Sequence, residues 1–200
     1  MNRFLRNIVV ACVALLSFGQ LHAQENVKLL VGADYDMLFD NREYYQCQFG
    51  ESQTLFSSRL TPRLGVEWNK YNSLNFGMDL WSDFGNNTVT FTKARPQIYY
   101  QFDSEKVAAY AGIFPREKMM GDYTDIMVSD SLRFYDNRLQ GVMGQYKGDR
   151  GFVELSADWC GKYSEESREK FRIMSAGRFY IDNYHRRFYA GYNFSMYHFA

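Results

Sequence analysis

Between Val27 and Asp40 apolar and polar positions alternate with little error. Val27, Leu29, Val31, Ala33, Tyr35, Met37 and Phe39 are apolar; Lys28, Gly32, Asp34, Asp36 and Asp40 lie between them, interrupted by Leu30 and Leu38. A side-chain period of two sends the two sets to opposite faces of a strand. The run is longer than a typical soluble strand and its apolar face never breaks. It predicts a strand with lipid on one side and water on the other.

The same rhythm recurs. Leu60, Pro62, Leu64, Val66 and Trp68 oppose Arg59, Thr61, Arg63, Gly65 and Glu67. Leu74, Phe76, Met78 and Leu80 oppose Asn75, Gly77, Asp79 and Trp81, and Ala94, Pro96, Ile98, Tyr100 and Phe102 oppose Lys93, Arg95, Gln97, Tyr99 and Gln101. Val107, Ala109, Ala111 and Ile113 begin a fifth strand, residues 138–146 a sixth, and Val153, Leu155, Ala157 and Trp159 a seventh. An eighth, from Phe171 to Ile181, alternates less clearly, and a ninth starts at Phe188. Short connections near 69–73, 103–105, 147–151 and 182–186 alternate with long ones at 41–52, 115–133 and 161–170 and an intermediate one at 83–88. Membrane barrels combine short periplasmic turns with longer external loops. An aromatic precedes each short turn (Trp68, Phe102, Tyr146, Tyr180), where an interfacial girdle is expected.

These patterns predict an all-β, antiparallel, up-and-down transmembrane β-barrel. Nine strands are an odd number, whereas bacterial single-chain barrels are even. The expectation is therefore the N-terminal portion of a larger barrel. Pro62 and Pro96 fall inside strands and each removes a ladder donor, so bulges are expected there unless truncation leaves an edge. Arg178 shares parity with Met174, Ala176 and Tyr180, an awkward neighbour if that face meets lipid.

The N-terminus supplies an address. Arg3 and Arg6 precede an apolar stretch from Ile8 to Phe18, and Leu21-His22-Ala23 forms a cleavage site. Residues 1–23 read as a cleaved signal peptide and 24–200 as the barrel domain, exported to the outer membrane. Later residues hold no run of ~18 apolar residues, so no membrane-spanning helix is predicted. A mean hydropathy of −0.44 does not exclude a barrel, because half of every strand faces water. Loss of Arg3 and Arg6 leaves 21 basic against 23 acidic residues, a net of −2, and gives no reason to propose nucleic acid as a partner. Cys47 and Cys160 remain in the mature chain; pairing and free thiols both stay open.

The signal, the hairpin rhythm, the aromatics before turns and the segment Tyr110-Ala111-Gly112-Ile113-Phe114-Pro115-Arg116 at a strand end resemble porin-type outer-membrane barrels of Gram-negative bacteria. The resemblance spans most of the mature chain as a pattern, without a signature that carries over functional residues. It implies a passive diffusion channel, often a homo-oligomer, with outer-membrane lipid and small polar solutes as partners. The odd strand count departs from that family's pattern.

The wet face carries ordered charge. Asp34 and Asp36 are followed by Arg59 and Arg63, then Asp79 and Asp83, then Lys93 and Arg95; Arg116 and Arg138 flank the 115–133 connection. Opposite charges on adjacent strands read first as a salt-bridged inner wall, with Asp34/Arg59 and Asp79/Arg95 as candidate pairs. The functional alternative makes these ten residues a pore lining that draws in anions. The 115–133 connection is expected to be an ordinary exposed loop, with an inward constriction as the alternative. Catalysis has little support: the mature chain holds only His185 and His198, neither at a recognised motif spacing. No metal or cofactor motif is evident. The leading expectation is a porin-like channel for small polar or anionic solutes and not an enzyme. A non-conducting structural or adhesive barrel is the alternative; a barrel enzyme using His185 or His198, and a soluble secreted barrel binding an apolar ligand, are further rivals.

Overall fold

The computed structural model describes residues 27–48, 50–165, 167–182 and 187–199. The signal peptide reading, the rival catalytic candidate His185 and the 182–186 turn beyond residue 182 lie outside them. Nine strands form one sheet in sequence order: β1 (Val27–Arg42), β2 (Gln53–Trp68), β3 (Asn72–Asp83), β4 (Lys93–Asp103), β5 (Val107–Pro115), β6 (Arg138–Gly148), β7 (Gly151–Gly161), β8 (Lys170–Tyr180) and β9 (Tyr189–Phe199). Every neighbouring pair is antiparallel. Most strands run 11 residues or more, enough for a tilted strand to cross a bilayer, which needs about 9–11. Among the described residues β1 and β9 are not partnered with each other, so the sheet is not closed.

The fold is inside-out. Val31 is 75 % exposed and Leu155 56 %, while Asp79 and Gln97 are 0 % and Glu154 and Asp158 1 %. Water-soluble folds do the reverse. An outward apolar belt with polar groups turned inward is what a bilayer rewards, since each strand then shows hydrocarbon only its apolar half. Among the described residues no helix is long and apolar enough to cross a membrane. Near the short turns Trp68 lies 6.2 Å from Tyr100 and Tyr71 6.4 Å from Phe102, in line with the expected girdle. Tyr180 departs from it and turns inward with Arg178.

Two expectations about strand chemistry are corrected. Pro62 and Pro96 need no bulge: residues on both sides of each keep one continuous register. Pro96 precedes the part of β4 that pairs with β5, which begins at Ile98, so no β5 partner is denied a donor there. The irregularity lies instead between Trp159 and Gly161. Arg178 is no intruder on a lipid face, because Met174 and Ala176 point inward and are buried. On β8 it is Ile173, Ser175, Gly177 and Phe179 that oppose the outward residues of β7.

Inward apolar side chains have a partner of their own. Tyr99, Ala108, Tyr110, Phe114, Leu139, Met143, Met174 and Ala176 from the wall enclose Met119, Tyr123 and Val128 from the connection after β5. That connection does not stand out in solvent as expected; it folds into the barrel. The chain turns inward where Gly112 and Gly141 face each other with φ of 121° and 155°. A Cβ on Gly141 would stand 2.1 Å from the Ala157 carbonyl oxygen, so the bend admits only glycine there.

Candidate functional site

The inward connection, residues 116–137, is the centre of the interior. It starts with a single 3-10 turn, Arg116–Lys118, and ends with a short helix, α1 (Asp130–Tyr135). Ser129 starts the helix by accepting a hydrogen bond from Leu132 N at 3.1 Å. Between these elements the chain runs down toward the short-turn end and back. Its deepest part meets Glu154, whose carboxylate accepts from Met120 N at 2.7 Å, Gly121 N at 2.9 Å and Gln145 Nε2 at 2.9 Å. The approach is close: a Cβ on Gly121 would stand 2.4 Å from that of Ala176. Gln145 also donates to Lys118 O, Arg172 to Met127 O and Asn193 to Asp122 O. Arg178 forms an ion pair with Asp122 and lies over the Tyr189 ring.

At the long-loop end the tethers are mostly charged. Arg116 and Asp158 form a buried ion pair at 2.7 Å, with side chains 3 % and 2 % exposed. Asp158 also accepts from Gln140 N and lies 3.8 Å from Arg172. A buried pair of this kind is destabilising to break rather than strongly stabilising to make. Burial pushes Lys118 below its ordinary pKa and Tyr123 above its own, the latter helped by the nearby negative charge of Glu154.

All ten residues of the expected polar lining face this interior, but their partners differ from the sequence reading. Asp34 pairs with Arg63 at 2.6 Å, not Arg59; Arg59 instead bridges Asp36 and Glu117, each at 2.8 Å. Asp79 and Arg95 are opposite in register yet unpaired. Asp79 accepts from Thr61 Oγ1 at 2.7 Å and Gln97 Nε2 at 2.8 Å, and Arg95 reaches Asp136 at 2.7 Å. Asp83 accepts from Ser57 Oγ at 2.6 Å, Lys93 Nζ donates to Tyr135 O, and Arg138 lies 3.5 Å from Asp136. Arg116 opens the inward connection itself. Sequence reasoning missed Glu154 and Asp158 as anchors. Their common parity with Ser156 on β7 was visible, but no sequence signal named the backbone groups they hold.

Two hydroxyl–carboxylate pairs are the candidate reactive arrangements: Ser57 with Asp83, and Thr61 with Asp79. Ser57 Oγ also lies 3.4 Å from Tyr135 Oη. His198 hydrogen-bonds to neither pair and is stacked on Phe171 with ring centroids 4.5 Å apart. Among the described residues no group of three His, Cys, Asp or Glu is placed to hold a metal ion. Cys47 and Cys160 are both free.

A family model described as Lipid A 3'-O-deacylase-type matches residues 21–200. No curated protein matches the chain. The family is named for an enzymatic activity and is a bacterial outer-membrane family; it overturns the expectation that the chain is not an enzyme and supports the outer-membrane barrel of the resemblance, though not a porin specifically.

Proposed function

The chain belongs to the Lipid A 3'-O-deacylase-type family, and from that premise we propose that it is an outer-membrane esterase that removes an acyl chain from the 3'-oxygen of lipid A. The family match over the whole barrel domain carries the reading. Two features of the fold support it. The apolar outer belt sets the protein among lipid acyl chains, beside such a substrate. The interior is filled by residues 116–137, which favours a barrel that works on a lipid over one that conducts solutes.

Ester hydrolysis needs a nucleophile and a group to take its proton. Ser57, buried on the inner face near the long-loop end, donates to Asp83 at 2.6 Å and supplies both. In this reading Ser57 Oγ attacks the ester carbonyl and Asp83 takes the proton. The departing sugar oxygen takes that proton back from Asp83, and water then cleaves the acyl–Ser57 ester, releasing the fatty acid and restoring the serine hydroxyl.

The test is mass spectrometry of lipid A from cells expressing the protein. Lipid A lacking one acyl chain is the expected product. Unmodified lipid A, with the protein folded in the outer membrane, would overturn the proposal. Ser57→Ala is expected to remove the activity while preserving the heat-modifiable gel band; full activity in that variant would reassign the nucleophile.

A further inference from the structure

The end of α1 offers the wall a row of negative ends. Arg59 Nη1 donates to Arg133 O at 2.9 Å, Trp81 Nε1 to Phe134 O at 3.0 Å, Lys93 Nζ to Tyr135 O at 3.0 Å and Arg116 Nε to Asp136 O at 2.9 Å. Helix C-termini carry partial negative charge, and these donors complement it. The Asp136 carboxylate completes the row. Arg95 Nη1 lies 2.7 Å from its Oδ1 and Arg138 Nη2 3.5 Å from the same oxygen.

Lys93, Arg95 and Arg138 therefore converge where the connection contributes one carboxylate. Asp79 lies in the same electrostatic surroundings, fully buried and engaged by Thr61 and Gln97. Asp136, unlike Asp79, is not fixed to the wall. Asp136 is 39 % exposed, so solvent reaches it. Arg138 Nε is buried with no hydrogen-bond partner. A buried guanidinium nitrogen left unsatisfied is costly, and a larger anion with more oxygens than a carboxylate could satisfy it.

We propose that Lys93, Arg95 and Arg138 form a binding site for a phosphate-type anion at the long-loop mouth, held in the resting protein by Asp136 as a built-in occupant. A phosphate group offers at least three acceptor oxygens and more charge than a carboxylate, which suits two guanidinium groups and one ammonium. Its entry displaces Asp136 and loosens the end of α1. A phosphate on a lipid headgroup and free phosphate share this chemistry. The site needs no assumption about deacylation, and its test reads binding rather than hydrolysis.

The experiment is calorimetric titration of the purified full-length protein in zwitterionic detergent with inorganic phosphate. Asp136→Asn is expected to bind phosphate about tenfold more tightly than the parent, the equivalent of about 1.4 kcal/mol. Arg95→Gln with Arg138→Gln is expected to lose binding, and Lys93→Gln, a milder change, to weaken it. Phosphate should also speed tryptic cleavage after Arg133 in the parent protein. Lipid A in nanodiscs and the same lipid dephosphorylated separate the two sources. Saturation by inorganic phosphate indicates a soluble anion; binding of the phosphorylated lipid alone indicates a headgroup. Equal phosphate affinity in the parent and all variants, or equal binding of both lipids with none of inorganic phosphate, would overturn the site.

Discussion

Removing the Glu154 side chain should release the inward connection while leaving the sheet standing. Glu154 is 1 % exposed and, among the described residues, forms no ion pair; two backbone N–H groups and one side-chain amide satisfy it. Hydrogen bonds to an ionised group are worth about 1.5–3 kcal/mol each. Glu154→Ala deletes all three acceptances. The two N–H groups of Met120 and Gly121 must then stay buried without partners or move out to water. Moving out forfeits the burial of Met119 and Tyr123. The tethers from Arg172, Arg178 and Gln145 remain. A net loss of about 3 kcal/mol in docking follows after part of the gross value is returned by no longer burying a carboxylate.

Global unfolding is the wrong readout, because the connection can undock while the sheet stays folded. Limited trypsinolysis reads the local equilibrium, since cleavage tracks the open population when opening and closing are fast. Arg116, Lys118 and Arg133 are the cut sites inside the connection. About 3 kcal/mol corresponds to cleavage faster by roughly a hundredfold at these three sites. The heat-modifiable gel shift should persist, because the β-ladders are untouched. Cleavage within threefold of the parent rate, or cuts spread across the strands, would refute the docking role of Glu154.

Other perturbations probe the same architecture. Gly121→Ala should mimic Glu154→Ala in the tryptic assay, because the added methyl collides with Ala176 and Tyr123. Arg116→Met strands Asp158 in a buried site and should lower thermal stability by about 3–5 kcal/mol, whereas replacing both partners by apolar residues should cost far less. Tyr123 has its pKa raised, so its neutral form favours docking: that contribution is complete below the ordinary tyrosine pKa and is lost as pH climbs above it. Tryptic exposure of the connection should therefore rise above about pH 10, and Tyr123→Phe should abolish this alkaline rise. Planar-bilayer recordings should show little conductance in the parent and more in Glu154→Ala; large steady currents in the parent would contradict an interior filled by residues 116–137.

Much of the wall was legible in the sequence because a bilayer enforces period two along each strand and the short turns punctuate it. Alternation says which residues share a face, but not which face is wet. On β8 both sets are partly apolar, Ile173 and Phe179 on one and Met174 and Ala176 on the other, so parity alone misplaces Arg178, whose partner is Asp122 on the inward connection. Nor does alternation reveal what fills the interior. Residues 116–137 carry Met119, Tyr123 and Val128 at no regular period, since they pack against several strands rather than along one element. Their polar composition reads as a solvated loop, yet buried polarity is stable here because the wall answers it group by group: Glu154 for backbone N–H groups, Arg59, Lys93 and Arg116 for carbonyls. The ordered charges seen in the sequence are thus neither a bare pore lining nor a simple wall of cross-strand pairs. Strand register placed Asp79 opposite Arg95, but the connection supplied Asp136 as a better partner, and Asp79 settled with Thr61 and Gln97. A charge ladder on a barrel wall predicts wall pairing only when nothing enters the lumen; here the entering segment rewrites the pairing, and so the chemistry of the interior is set by residues that sequence periodicity leaves unmarked.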